Sequence, residues 1–129
     1  MLKCDRVELC RNLLLDEGYR AAIDDDGDLI FKSEGRSFFI ILDDDEVFFR
    51  IVMPNIWQLE SAGERANAVR AAHDVVKELK VAKVFCVENN VWCSAELFFG
   101  EVNHLKPVLN RLILVVNQAA TRFARKMQA

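Results

Sequence analysis

The sequence contains few of the residues from which catalytic and metal sites are usually built. It has only two histidines, and none of its four cysteines forms a Cys-x-x-Cys pair, so no zinc-ligand spacing is present. A glycine-rich phosphate loop, a nucleophile elbow and a pair of catalytic carboxylates are also missing. From these absences we expect a protein without enzymatic activity, with no catalytic residue, no cofactor and no metal.

Charge and hydropathy exclude two further classes of partner. The net charge of −3 and the pI of about 5.4 argue against nonspecific nucleic-acid binding, which needs a basic surface. The longest aliphatic run of the last predicted helix, residues 112–116, is far too short to span a bilayer. The first residues are charged early and lack the apolar core of a signal peptide. We therefore expect a soluble, cytoplasmic protein that binds neither nucleic acid nor membrane.

The order in which the hydrophobic period changes predicts the fold. A helical period ends at Gly18, and a capping box at Ser61 and Glu64 opens a second helix that runs to about Lys80. A third helix starts near Asn103. Strand periods cover 20–24, 29–31, 37–43, 46–53, 81–87 and 91–99, and the first run of strands ends at Pro54. At 129 residues we expect one domain over 1–129, of the α+β class, with an antiparallel sheet flanked by helices in the order α-β-β-β-(β)-α-β-β-α.

The last predicted hairpin has two apolar faces. A two-residue loop at Asn89 and Asn90 opposes Cys86 to Cys93 on a face that we assign to the core. We expect both thiols to be buried and reduced, although opposed strand positions would also permit a disulfide.

The second face of that hairpin is too apolar for a solvated sheet. Either the middle helix covers it inside the monomer, or it contacts a partner or a second copy, and we favour partial cover combined with such a contact. The middle helix is rich in alanine, and its predicted inner stripe is Ala66, Val69, Ala72 or His73, Val76 and Leu79. The residues expected to bind a protein partner or a second copy are Phe85, Val87, Trp92, Phe98, Ala68 and Ala71.

Three other hypotheses remain open. Cys86 and Cys93 could serve a thiol-based redox sensor or enzyme. A pocket lined by Phe48, Trp57 and Trp92 could hold a small ligand. The acidic turns at 24–28 and 43–46 are predicted at one end of the sheet and could weakly bind a cation or a basic segment, although the first lacks the spacing of an EF-hand loop.

With its elements ordered, the chain resembles the YbjN family of bacterial sensory transduction regulators, which is similar in fold to the class I type III secretion chaperones. The resemblance covers most of the chain. The residues that carry it are 24–31 (Asp-Asp-Asp-Gly-Asp-Leu-Ile-Phe), 80–85 (Lys-Val-Ala-Lys-Val-Phe), 95–98 (Ala-Glu-Leu-Phe), Arg122-Phe123 and Asn67 in the middle helix. The resemblance implies a homodimer without enzymatic activity that binds extended segments of a partner protein on its sheet and helix surfaces.

Overall fold

The computed structural model describes residues 1–129 as an α+β fold in which a six-stranded antiparallel sheet carries helices on one face. The α-helices are α1 (Lys3–Asp16), α2 (Ala62–Glu78) and α3 (Leu109–Gln128), with a short 3-10 turn at Val102–Leu105 before α3. The strands are β1 (Ala22–Ile23), β2 (Leu29–Ser33), β3 (Arg36–Ile41), β4 (Phe48–Gln58), β5 (Ala82–Val87) and β6 (Asn90–Phe98). They lie in the order β1-β2-β3-β4-β6-β5, so β5 forms one edge of the sheet. The predicted fold class and order of elements are confirmed, including the fourth strand.

The helices bury one face of the sheet. Strand residues with alternating side-chain direction, such as Phe38 and Ile40 on β3, join the buried side chains of all three helices in one hydrophobic core. The ring of Tyr19, just after α1, packs 5.4 Å from that of Phe31 on β2, and the Sγ of Cys93 on β6 lies 3.6 Å from the carbonyl oxygen of Val116 on α3. No helix is long and apolar enough to cross a membrane.

The end of α1 follows the predicted glycine cap. Gly18 has a φ of +92°, and the amide of Tyr19 donates to the carbonyl of Leu14 over 2.8 Å. A residue with a side chain rarely adopts this conformation, which explains why a glycine follows the end of the helix.

The two acidic turns are occupied by contacts inside the chain. In the first turn Asp24 accepts hydrogen bonds from the amides of Asp26 and Asp28, and Lys3 of α1 lies 3.5 Å from Asp28. In the second turn the guanidinium of Arg6 donates to the carbonyl of Asp43. These contacts hold the turns at the start of α1 and give the acidic residues a structural role.

The sequence predicted that the fourth strand ends at Pro54, and this prediction is wrong. β4 continues to Gln58 because its pairing with β6 shifts register between Met53 and Trp57, and this bulge accommodates a proline that has no amide hydrogen. Asn55 within the bulge has a φ of +54°. The extra residues turn Trp57 towards the core, where its ring packs 6.1 Å from Phe123.

The register of the last hairpin also differs from the prediction. The turn is Glu88-Asn89, so Val87 pairs with Asn90, and Cys86 opposes Val91 rather than Cys93. Glu88 adopts a φ of +54°, and Arg65 of α2 donates to its carbonyl, which fixes the turn one residue earlier than expected. Because the register moves by two residues, each side chain keeps its predicted face.

The buried stripe of α2 differs from the predicted one by rotation about the helix axis. The buried side chains are Ala68, Ala71, Ala72 and Val75. Val69 and Val76, expected to point inwards, are 56% and 41% exposed. The reason is that α2 packs against both α3 and β5, and small residues allow this close approach on two sides.

Candidate functional site

The sheet face opposite the helices carries many apolar side chains that lie outside the core, and it is here termed the open face. Its apolar side chains are Ile30, Phe39, Ile41, Phe48, Val52, Phe85, Val87, Trp92 and Phe98. None of them belongs to the hydrophobic core or packs against it. Phe98 is 74% exposed, seven of the others are half-buried, and Val52, in the middle of the sheet, is 2% exposed. A surface of this kind typically marks a contact with another protein.

Two aromatic pairs lie at opposite ends of the open face. Phe48 and Phe98 are opposed in register, with ring centroids 5.8 Å apart. Phe85 and Trp92 are likewise opposed, with centroids 6.4 Å apart. The indole nitrogen of Trp92 donates to the side-chain oxygen of Asn55 over 3.1 Å, so the β4 bulge fixes the orientation of this ring. Aromatic rings held in fixed orientations lose little entropy when a partner packs on them.

A polar strip separates the two aromatic pairs. The carboxylate of Glu96 accepts a hydrogen bond from Ser94 over 2.7 Å and forms an ion pair with Lys83 at 3.0 Å. Partial burial acts to raise the pKa of Glu96, but the bonds from Ser94 and Lys83 together lower it below its ordinary value. Glu96 therefore stays ionised, and within the chain its carboxylate is bonded by Ser94 and Lys83.

Arg50 is the one residue of this strip without a partner. It lies between Phe48 and Val52 on the same face of β4 and directly opposes Glu96 in register. It makes no ion pair or side-chain hydrogen bond within the chain, and its Nε is buried without an acceptor. Strand alternation alone places Arg50 on one face with Phe48 and Val52, but the sequence analysis did not consider Arg50.

The predicted contact residues fall into two groups. Phe85, Val87 and Trp92 are half-buried on the open face, and Phe98 is exposed there. Ala68 and Ala71 are buried inside the monomer, with 0% and 6% exposure. This corrects the expectation for the two alanines: their small side chains serve helix packing and are not accessible to a partner.

The cysteines do not form a reactive pair. All four are free, and Cys93 is fully buried whereas Cys86 is half-buried. Burial raises the pKa of Cys93 to about 12, with a smaller opposing effect of Arg36, and burial likewise raises the pKa of Cys10 to about 12. A thiol with such a pKa is protonated near neutral pH and is a poor nucleophile, so the predicted redox pair has no geometric support.

The aromatic residues proposed for a small-ligand pocket do not meet. Phe48 and Trp92 lie on the open face, whereas Trp57 packs on the core side against Phe123 and donates to Glu64 of α2. Because they lie on opposite sides of the sheet, the three residues do not line one pocket together.

A second apolar feature lies beside the edge strand. Val69 and Val76 of α2, together with Val84 and Phe85 of β5, line a shallow groove of about 360 Å³. The outer side of β5 has no neighbouring strand, so its backbone groups on that side are free to pair. Sequence reasoning missed this groove because it assigned both valines to the core.

Comparison with known proteins identifies what this architecture is similar to. The family model described as "T3SS (YopN, CesT) and YbjN peptide-binding chaperone 1" matches residues 7–128. Among solved structures, a crystal structure of an uncharacterized protein from Methanothermobacter thermautotrophicus matches with a TM-score of 0.56 and 14% sequence identity, over 98% of this chain and 99% of that one. This second likeness concerns the fold alone. A search of curated proteins gave no match.

Proposed function

Since the chain belongs to the family of type III secretion and YbjN peptide-binding chaperones, we propose that it is a non-catalytic module that binds an extended segment of a protein partner on its open face. The observation that carries this proposal is the apolar, helix-free sheet face with an aromatic pair at each end. Aromatic side chains contribute much of the binding energy at protein interfaces. Phe85, Val87, Trp92 and Phe98 are the proposed contact residues, and Ala68 and Ala71 are left out because they are buried.

The chemistry of the chain favours binding over catalysis. The thiols of Cys10 and Cys93 are held protonated by burial, and Cys86 has no cysteine opposite it. The only cluster of possible metal ligands is Asp24, Asp26 and Asp28, and there Asp24 is engaged by the amides of its own turn. A role in sensory transduction and a cytoplasmic location stay predictions from the sequence.

We further propose that the protein acts as a homodimer through the groove beside β5. The exposed Val69 and Val76 on α2 would pack against the same residues of a second copy, and β5 would pair with its symmetry mate. This arrangement buries the apolar groove and satisfies the free edge in one contact. It covers the open face of each copy only at its β5 margin, where Phe85 borders the groove.

The experiment for partner binding uses a permanently unfolded protein as the probe. Fluorescently labelled, reduced and carboxymethylated α-lactalbumin should bind the wild-type chain, and the native form of the same protein should not. Trp92→Ala should weaken binding by about 2 kcal/mol, or roughly thirtyfold in Kd. Its melting temperature should fall by no more than about 4 °C, because the indole lies outside the core.

Leu15→Ala, another exposed apolar truncation but on α1, is the matched control and should leave binding unchanged. Unchanged binding by Trp92→Ala together with a collapsed melting temperature would show that the indole is structural and would contradict the proposal.

A further inference from the structure

We propose that the open face recognises a carboxylate within the bound segment, and that Arg50 is the residue that receives it. This inference rests on the proposed function, because it requires that the open face bind an extended protein segment. It adds a chemical requirement: the segment carries an acidic side chain between two apolar ones.

The first argument is the unsatisfied state of Arg50. Its side chain is half-buried among apolar neighbours, its Nε has no acceptor, and it lies in no ion pair. A cation in such a position is costly unless a partner compensates it. Glu96 opposes Arg50 in register, and the charge of Arg50 helps to lower the pKa of Glu96. The carboxylate is nevertheless bonded directly by Ser94 and Lys83, and not by Arg50.

The second argument is the charge of the surface. The strands of the open face carry three cations, Lys32, Arg50 and Lys83, and a single carboxylate, that of Glu96. The face is therefore locally basic although the whole chain has a net charge of −3. A second copy docked face to face would offer Arg50 no free carboxylate, whereas a segment with its own acidic side chain would.

The third argument is the chemistry of guanidinium recognition. A planar guanidinium binds a carboxylate through two parallel hydrogen bonds, and a partly apolar setting strengthens them. A monoanion suits the site better than a phosphate, because Glu96 lies directly across the strand pair and repels a dianion more strongly.

The spacing of the face sets the spacing of the segment. Glu96 on β6 lies directly beside Arg50 on β4. Phe98 lies two residues from Glu96 in one direction along β6, and Trp92 lies four residues from Glu96 in the other direction. At the rise of an extended chain these steps span about 7 and 13 Å. An extended segment parallel to the strands therefore places an apolar residue at its first position, the acid at its third and a second apolar residue at its seventh.

The test is a selection from a displayed library of random twelve-residue peptides on immobilised wild-type protein, Arg50→Met and Lys32→Met. Wild type should enrich peptides with Asp or Glu between apolar residues at the spacing given above. Arg50→Met should enrich apolar peptides without the acid. Lys32→Met removes another cation of the same face and should select as the wild type does.

The most enriched peptide then serves as the probe in a titration. Replacing its acid by the corresponding amide should raise Kd roughly tenfold on the wild type, as expected for loss of a charged hydrogen bond, and should leave Kd unchanged on Arg50→Met. Arg50→Lys keeps the positive charge but cannot donate two parallel hydrogen bonds to a carboxylate. This variant should therefore retain only part of the preference for the acidic peptide over its amide.

Each other outcome has a distinct meaning. Enrichment of apolar peptides without an acid, abolished by Trp92→Ala, overturns the carboxylate inference and leaves the proposed function standing. No enrichment over an uncoated surface overturns both. If Arg50→Met dissociates a dimer in sedimentation and no peptide is selected, the open face is a contact between copies and the inference is wrong.

Discussion

At the scale of the residue, burial decides what the thiols can do. Cys10 and Cys93 sit in the core, and the desolvation of their charged forms raises their pKa values to about 12. Cys4, by contrast, is exposed on α1. The distinction cannot be obtained from cysteine spacing, because it depends on which strand neighbours and helices surround each sulfur.

We expect the buried thiols to resist a disulfide reagent in the folded protein. At about pH 8, a pKa of about 12 leaves roughly one Cys93 thiol in ten thousand ionised, and the site is closed to solvent. Mass spectrometry after timed exposure to a thiol-labelling reagent should find Cys4 modified first, and Cys10 and Cys93 only on unfolding. Labelling of folded Cys93 as rapid as that of Cys4 would revive the redox hypothesis.

Glu96 should make the stability of the sheet depend on pH. Because its pKa is lowered in the folded state, its ionised form stabilises the fold above the ordinary glutamate range, and this contribution is lost as pH falls through the lowered value. Chemical denaturation at several pH values should show wild type more stable than Glu96→Gln near neutrality, with the difference shrinking in acid.

Two lysine variants control that experiment. Lys83→Met removes the cation paired with Glu96 and should reproduce part of the loss at neutral pH, whereas Lys80→Met, which breaks no ion pair, should not. A difference between wild type and Glu96→Gln that is constant from neutral to acid pH would refute the linkage.

At the scale of the element, α2 shows how two packing partners set a helix orientation. Sequence periodicity identified the helix and its Ser61 cap, whose Oγ accepts from the amide of Glu64 over 3.1 Å. It placed the inner stripe through Val69 and Val76, and of the predicted residues within α2 only Ala72 is buried. The buried side of α2 is instead mostly alanine. The helix packs closely against both α3 and β5, and small side chains allow its backbone to approach theirs.

A matched pair of valines tests this orientation. Val75→Ala removes a fully buried side chain and should lower the free energy of unfolding by about 2 kcal/mol. Val69→Ala, on the exposed side of the same helix, should change it by less than about 0.5 kcal/mol when both variants are measured in a chain made monomeric by Val76→Lys. Equal losses, measured by denaturant unfolding, would place both valines in the core and contradict the observed helix rotation.

The strands show the same division between what sequence can and cannot predict. Alternation assigned every residue of the last hairpin to its observed face, because a period of two does not depend on distant contacts. The turn position depends on Arg65 of α2 reaching the carbonyl of Glu88, and the β4 extension past Pro54 depends on a bulge against β6. Both are long-range contacts, and local pattern carries no signal for them.

At the scale of the whole molecule, all helices lie on one side of the sheet, and two apolar surfaces remain. The open face is suited to a partner segment, and the groove between α2 and the β5 edge is suited to a second copy. The sequence predicted that the second sheet face is incompletely covered, and placed Phe85, Trp92 and Phe98 there. It could not separate the two surfaces, because the exposure of Val69 and Val76 follows from the helix orientation.

The dimer proposal predicts a specific change in mass. Light scattering of the wild type should give twice the chain mass of 14.8 kDa, and Val76→Lys should give the single chain, because it places a charge in the apolar groove. Leu15→Lys, the same change on an exposed site of α1, should leave the dimer intact. A wild type that scatters as a single chain at micromolar concentration would contradict the proposal.

The central claim, that a partner segment binds on the open face, is tested most directly by the two tryptophans, because one lies on each side of the sheet. In Trp57→Phe only Trp92 emits, and in Trp92→Phe only Trp57 does. Addition of a library-selected peptide should shift the emission of Trp92 to shorter wavelength and shield it from acrylamide, and should leave Trp57 unchanged. A peptide that binds with unaltered Trp92 emission and quenching, or that changes Trp57 instead, would contradict the account.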